Sequence, residues 1–179
     1  MEEENSLIEQ RRENLTALRE RGIEPFANKF TPNETCAGAR ENYEEGREVA
    51  LAGRMTAFRT MGKSIFFDIK DGSDRMQVYA QKNALGEEAF EVLKKLDLGD
   101  FIGVKGTMFT TRTEEITLKA AAFTIVSKAL RPLPAKWHGL SNIETRYRQR
   151  YLDLIANDDV KQVFYKRSAI IREIGRAHV

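Results

Sequence analysis

One cysteine, Cys36, stands in the 179 residues, so the chain closes no disulfide of its own. Histidine is nearly as scarce. His138 and His178 are the only two, and with a single thiol they supply no clustered soft-ligand metal site. No apolar run approaches the roughly 20 residues that a membrane span needs, which predicts a chain with no membrane segment. The N-terminus, MEEENSLIEQRREN, is acidic and lacks the basic-then-apolar order of a secretory leader. Together these absences point to a reducing cytoplasm. What is abundant is charge, at 31% of residues, with a mean hydropathy of −0.49. That composition is soluble and leaves enough apolar residues for a modest core, in one or two domains.

The formal net charge of +2 hides a gradient. Residues 1–50 hold 7 Lys/Arg against 12 Asp/Glu, residues 51–130 hold 12 against 10, and residues 131–179 hold 10 against 5. The basic tilt is compatible with a polyanionic partner, yet charge alone does not separate nucleic acid from an ordinary solvated surface.

Leu7, Ile8, Leu15 and Leu18 fall on one stripe of a helix that Gly22 would stop, with Pro25 beyond it. This reads as an amphipathic helix docked on its own domain or on a partner. Residues 26–48 lack periodicity and read as a connector. From Val49 the period becomes two, with Val49, Leu51, Gly53 and Met55 on one side. SIFFDIKDGSDRMQVYA then predicts strands at about 64–70 and 75–80 around a KDGSD hairpin. EEAFEVLKKLDLGD predicts a helix ending at Gly99. FIGVKGTMF and EITLKAAAFTIV predict two further strands across the turn TTRTEE. Three strands, a helix and two strands are the arrangement of a five-stranded OB-fold barrel, an α+β chain that is mainly β with flanking helices. The pattern ends in LRPLP, a proline-stiffened boundary. Beyond it IETRYRQRYLDLIAN and DDVKQVFYKRSAIIREI predict helices.

Counting by twos puts Ile65, Phe67 and Ile69 inside the barrel and Phe66, Asp68 and Lys70 outside. Arg75, Gln77 and Tyr79 share that outer face. A phenylalanine on a polar strand face has two readings. Either the ring is offered to an unpaired base, on the sheet face that OB barrels use, or another element such as the N-terminal helix covers it.

SKALRPLPAKWHGLSNIETRYRQRYLDLIAN, with LKKLDLGDFIGVKGTMF before it, resembles the lysyl-tRNA synthetases of the class II, bacterial-type branch. The resemblance runs from the N-terminal helix to about Arg172. KALRPLP, HGL and RYRQRYLDLI carry it far more specifically than the barrel, which the aspartyl and asparaginyl synthetases also possess. It implies an N-terminal helix and connector over 1–48, an anticodon-binding barrel over 49–127, a linker over 128–145, and the truncated start of a class II catalytic domain over 146–179. EIGRAHV, residues 173–179, departs from the family and resembles the translation of a DNA sequencing adapter. The alternative there is a divergent helix end stopped by Gly175.

The family's anticodon-reading positions fall on Arg59, Phe66, Gln77 and Glu115. The resemblance implies that Phe66 stacks on the central anticodon base while the other three read uracil edges. Uracil presents two carbonyl acceptors flanking one N3–H donor; arginine only donates, a carboxylate only accepts, and glutamine does both. Taken alone, Arg59 also reads as a partner of Asp68 or a solvated cation, and Gln77 as a plain exposed strand residue. Where the family has Thr-Gly-Glu, this chain has Thr113-Glu114-Glu115, which predicts a changed turn and a shifted carboxylate. Lys63, Lys70 and Arg112 fit phosphate contacts and solvated surface equally.

The resemblance implies a full enzyme that uses ATP and magnesium, forms lysyl-adenylate and transfers lysine to tRNA(Lys), and works as a homodimer through the last helix. This chain offers no catalytic residue and no cofactor or metal ligand, which predicts binding of the anticodon stem-loop without ligation. A stand-alone RNA-binding module derived from such an enzyme is the alternative, as is a sequence-tolerant single-strand binder.

Overall fold

The computed structural model describes residues 2–26, 29–133 and 140–177. The chain divides into two compact units, Met1–Pro132 and Leu133–Val179. In the first, helix α1 (Glu2–Glu20) and helix α2 (Cys36–Glu41) precede strands β1 (Glu48–Met61), β2 (Ser64–Lys70) and β3 (Arg75–Gln81). Short helices α3 (Lys82–Leu85) and α4 (Glu87–Leu93) follow, then β4 (Phe101–Thr110) and β5 (Ile116–Ser127). The strands close in the order β1-β2-β3-β5-β4, with β3 and β5 parallel and every other pair antiparallel.

The period-two count holds along the barrel. Val49, Leu51 and Met55 of β1, Ile65, Phe67 and Ile69 of β2, and Met76, Val78 and Ala80 of β3 are all buried. Closure demands close backbone approach, and Gly106 shows why. A Cβ there would lie 1.9 Å from the carbonyl oxygen of Lys119, beside the register shift of the β4–β5 pair.

Three sequence expectations change in the first unit. Helix α1 docks by a polar contact as much as by its stripe: Leu18 is fully buried, but Leu7 is 47% exposed. Buried Arg11 caps carbonyl oxygens of Ala129 (2.6 Å), Leu98 (2.9 Å) and Arg131 (3.3 Å), and Asn14 reaches Asp97. Those contacts hold the helix at the β4–β5 end of the barrel, on its own domain.

The connector 26–48 is not featureless, because it contains α2. Thr35 caps that helix by accepting the Gly38 N–H at 3.1 Å, and Cys36 and Ala39 enter the core. Its first amides meet the β2–β3 turn, where Asp71 accepts the Cys36 N–H at 2.8 Å and Ser73 Oγ that of Ala37 at 3.0 Å. Burial alone would raise the Asp71 pKa, but the Ser73 hydroxyl and the backbone donors outweigh it and hold the carboxyl below its usual value. Burial, with the Asp71 charge beside it, pushes the Cys36 thiol up to about 12, which marks a packing residue rather than a nucleophile.

The predicted helix to Gly99 stops at Leu93. Phe90, Val92, Leu93 and Leu96 are buried in the barrel core. The chain then turns because buried Lys128 holds Asp97 (2.5 Å) and Asp100 (2.6 Å), while the Gly99 N–H reaches the Met55 carbonyl.

The second unit contains α5 (Ile143–Arg148), α6 (Arg150–Ala156) and α7 (Asp158–Arg176). The first of its predicted helices is broken at Gln149 around the buried Asp153, which gathers Arg146 (2.9 Å), Arg150 and Asn157 (2.6 Å). Gly175 lies inside α7 and stops nothing. Val163, Tyr165, Ile170, Ile171 and Ile174 of α7 are exposed. Among the described residues no helix is long and apolar enough to cross a membrane. Pro134 of the LRPLP boundary, His138 and Gly139 of HGL, and the last two residues of EIGRAHV lie outside the described residues.

Candidate nucleic-acid interface

Strand register aligns the outer face in rows. Phe66 is the Cα partner of Arg59 on β1 and of Tyr79 on β3, and Tyr79 is in turn the partner of Lys119 on β5. The next row carries Ala57, Asp68, Gln77, Thr117 and Phe109. The third pairs Lys70 with Arg75. Glu115 stands just before β5, and its carboxylate meets the third row at Arg75. Arg59 and Phe66 therefore share the first row of one face, Gln77 lies in the second, and Glu115 meets the third.

Phe66 is half-buried and points away from the core, and helix α1 makes its hydrogen bonds elsewhere. What flanks the ring is Tyr79, at 4.7 Å between centroids and 34° between planes; Phe109 lies 5.9 Å beyond Tyr79. The Tyr79 hydroxyl is 3.2 Å from Ser64 Oγ, which fixes the ring that Phe66 leans on. Three aromatic rings thus run across β2, β3 and β4. Counting by twos through FIGVKGTMF would have placed Phe109 outside, since Ile102, Val104 and Met108 are buried; that signal was present and unused.

The polar groups are ordered as well. Thr117 Oγ lies 2.9 Å from Gln77 Oε1 and 3.1 Å from the Glu115 carbonyl oxygen, and its single proton serves one of them at a time. Asp68 pairs with Arg75 at 2.9 Å rather than with Arg59, which is exposed on β1. Burial of Asp68 beneath Arg75 departs from the simple outward count, and its Oδ1 has no hydrogen-bond partner among the described residues. The β4–β5 turn survives the glutamate at position 114. Glu114 adopts φ 59, the left-handed conformation that glycine takes without strain, and the Glu114 and Thr111 amides close the turn. The Glu115 carboxylate accepts Arg75 at 3.1 Å and Arg40 of α2 at 3.3 Å.

The three candidate phosphate contacts come from three separate segments. Lys63 is exposed at the β1–β2 turn, Lys70 ends β2, and Arg112 is exposed in the β4–β5 turn. Lys119, which sequence reasoning missed, is exposed beside Tyr79.

A ring with polar neighbours on the β2–β3 face of a closed five-stranded barrel suits single-stranded nucleic acid. Residues 49–126 match the family model of the OB-fold nucleic acid binding domain. The lysine–tRNA ligase of Pelotomaculum thermopropionicum is 49% identical over 173 residues, which is 96% of this chain and 34% of that protein. That of Moorella thermoacetica is 47% identical over 176 residues, 97% of this chain and 36% of its own length. That of Enterococcus faecalis is 46% identical over 185 residues, 98% and 37% respectively. The chain belongs to the lysyl-tRNA synthetase family. It spans about a third of the length of the curated relatives it matches. In this synthetase chain the matched segment begins one residue inside β1 and ends one residue before the end of β5, so it coincides with the barrel that carries the aromatic face.

Proposed function

We propose that the barrel is the anticodon-binding domain through which a lysine–tRNA ligase holds its tRNA, and that it reads a U-rich lysine anticodon. The supporting observation is the outward Phe66 ring, backed by Tyr79, with Arg59, Gln77 and Glu115 on the same face. A pyrimidine stacked on Phe66 leaves its Watson–Crick edge to groups that donate to the carbonyl oxygens (Arg59, Gln77) and to a carboxylate that accepts N3–H (Glu115). Cytosine offers an acceptor at N3 and an amino group at C4, so it mismatches that set at both positions and keeps only the O2 acceptor.

Ligation itself belongs to the part of the relatives that this chain does not span. There ATP would activate lysine as the adenylate, with magnesium neutralising phosphate charge. The chain by itself binds the stem-loop and does not catalyse. The apolar residues of α7 serve homodimerisation in the full enzyme, which works in the cytoplasm. Titration of the chain with a lysine anticodon stem-loop tests the reading. Removing the central base should weaken binding by about 5- to 150-fold, the worth of one stacked base at about 1–3 kcal/mol. Equal binding of intact and abasic loops would refute it, as would amino-acid-dependent ATP–pyrophosphate exchange for the claim of inactivity.

A further inference from the structure

Glu115 is held in an asymmetric way. Arg75 Nη2 at 3.1 Å and Arg40 Nη2 at 3.3 Å both donate to the same oxygen, Oε1. Among the described residues no hydrogen bond is made to Oε2. Each arginine is itself anchored. Arg75 donates from Nη1 to the buried Asp68 at 2.9 Å. Arg40 donates from Nε to the Arg75 carbonyl oxygen at 2.9 Å and stands 3.5 Å from the Asp74 carboxylate. Two guanidinium forks pinned at a second point cannot swing freely, so the carboxylate they grip has a defined direction.

Rows of one strand face are about 6.8 Å apart, two residues at about 3.4 Å each. A pyrimidine seated on Phe66 projects toward the Gln77 row, so an acceptor from the row beyond, where Glu115 meets Arg75, serves it only when its carboxylate is directed back along the face. A carboxylate facing an RNA polyanion is electrostatically unfavourable unless its charge is offset, and the two arginines, shared with Asp68 and Asp74, offset it in part while leaving one lone-pair-bearing oxygen open.

We propose that Arg40 and Arg75 are positioning residues of base selection: they clamp Glu115 through Oε1 and direct Oε2 at the N3–H of the stacked uracil. Helix α2, which precedes the barrel in sequence, is then part of the discriminating apparatus. The proposal rests on the reading of Glu115 as a base acceptor given above. Arg40 touches no base in it and acts only through Glu115.

The test uses the whole chain and two anticodon stem-loops that differ by uracil or cytosine at the central position. Dissociation constants are measured for the parent, Arg40→Ala, Glu115→Ala and the double variant, with thermal melts alongside. Arg40→Ala should reduce the preference for uracil by about three- to tenfold, a partial loss of one charge-assisted hydrogen bond. The cytosine loop should weaken less than the uracil loop, because the lost positive charge is felt by both RNAs and the lost direction of Glu115 only by uracil. In the Glu115→Ala background, adding Arg40→Ala should change the preference no further. Arg40→Lys, which keeps the charge but not the two-point fork, should fall between the parent and Arg40→Ala, and it replaces the alanine variant if that does not fold. Equal weakening of both loops, an undiminished preference, or an additive effect in the double variant overturns the clamp. If Glu115→Ala itself leaves the preference intact, the acceptor role fails and the clamp falls with it.

Discussion

Replacing two adjacent phenylalanines should break two different properties. Phe67 is 1% exposed among Ile65, Ile69 and Val78, so Phe67→Ala opens a cavity in the barrel. The cost is about 3–5 kcal/mol, lost transfer energy plus the unfilled volume. Phe66 projects from the other side of β2 and packs on Tyr79 at 4.7 Å. Its removal forfeits one aromatic pair, about 0.5–1.5 kcal/mol, and a modest apolar area. Because Tyr79 supports it, Phe66→Ala is not neutral to stability; it should lower the melting temperature measurably but far less than Phe67→Ala. Binding inverts the order. Phe66→Ala should lose about 1–3 kcal/mol of stem-loop affinity, about 5- to 150-fold, at temperatures where both variants remain folded. Phe67→Ala should bind nearly as the parent does there. Circular dichroism melts give the first quantity and fluorescence anisotropy with labelled RNA the second. If Phe66→Ala proves the more destabilising and leaves affinity unchanged, the assignment of faces is wrong and the base-reading argument goes with it.

Other outcomes follow from single sites. Glu114→Gly should stabilise the first unit by up to about 1 kcal/mol, since glycine adopts the left-handed φ of 59 without a Cβ penalty; a lower melting temperature would contradict this. Lys128→Ala should cost about 3–5 kcal/mol, because Asp97 and Asp100 lose the ammonium buried between them; a denaturant midpoint near the parent's would sink the account. Asp153 gives a pH dependence. Burial would raise its pKa, but hydrogen bonds from Asn157 and Arg146 and the charges of Arg146 and Arg150 outweigh it and hold the pKa below the ordinary 3.8. A group depressed in the folded state contributes stability that is present above its unfolded pKa and lost as pH falls through the folded one. The helices around Asp153 should therefore melt as pH drops below about 3.8, and Asp153→Asn should remove that component; an identical acid transition in the variant would refute the assignment.

Much of the barrel was legible because strands half-facing a core impose a period of two, which β1 obeys from Val49 to its register shift after Met55, and β2 and β3 obey apart from the buried Asp68. The OB topology followed from element order, which loops and the short helical stretch of α3 and α4 leave readable. Phe66 was legible as an exception to the same rule. What escaped reading depends on partners distant in sequence. Nothing local in residues 26–48 reveals that the amides at the start of α2 find their acceptors in the turn at Asp71 and Ser73. Nothing in DLGD predicts that Lys128, 28 residues after Asp100, ends the helix run early. Arg11 sits on the apolar stripe of α1 and looks like an interruption, yet it makes the helix's longest-range contacts.

The same distinction explains why the aromatic half of the interface could be read from sequence and the ionic half could not. Ring placement is decided by which way a strand residue points, a local matter of odd or even position. Carboxylate placement is decided by what grips the oxygen. Glu115 sits in a turn, where no periodicity applies, and Arg40 comes from 75 residues earlier in the chain. A reader built only from strand residues would have a floor for a base but no fixed acceptor at its edge. In the proposed reader that second requirement falls to a helix from outside the sheet: α2 packs where the β2–β3 and β4–β5 turns converge on Arg75 and Glu115.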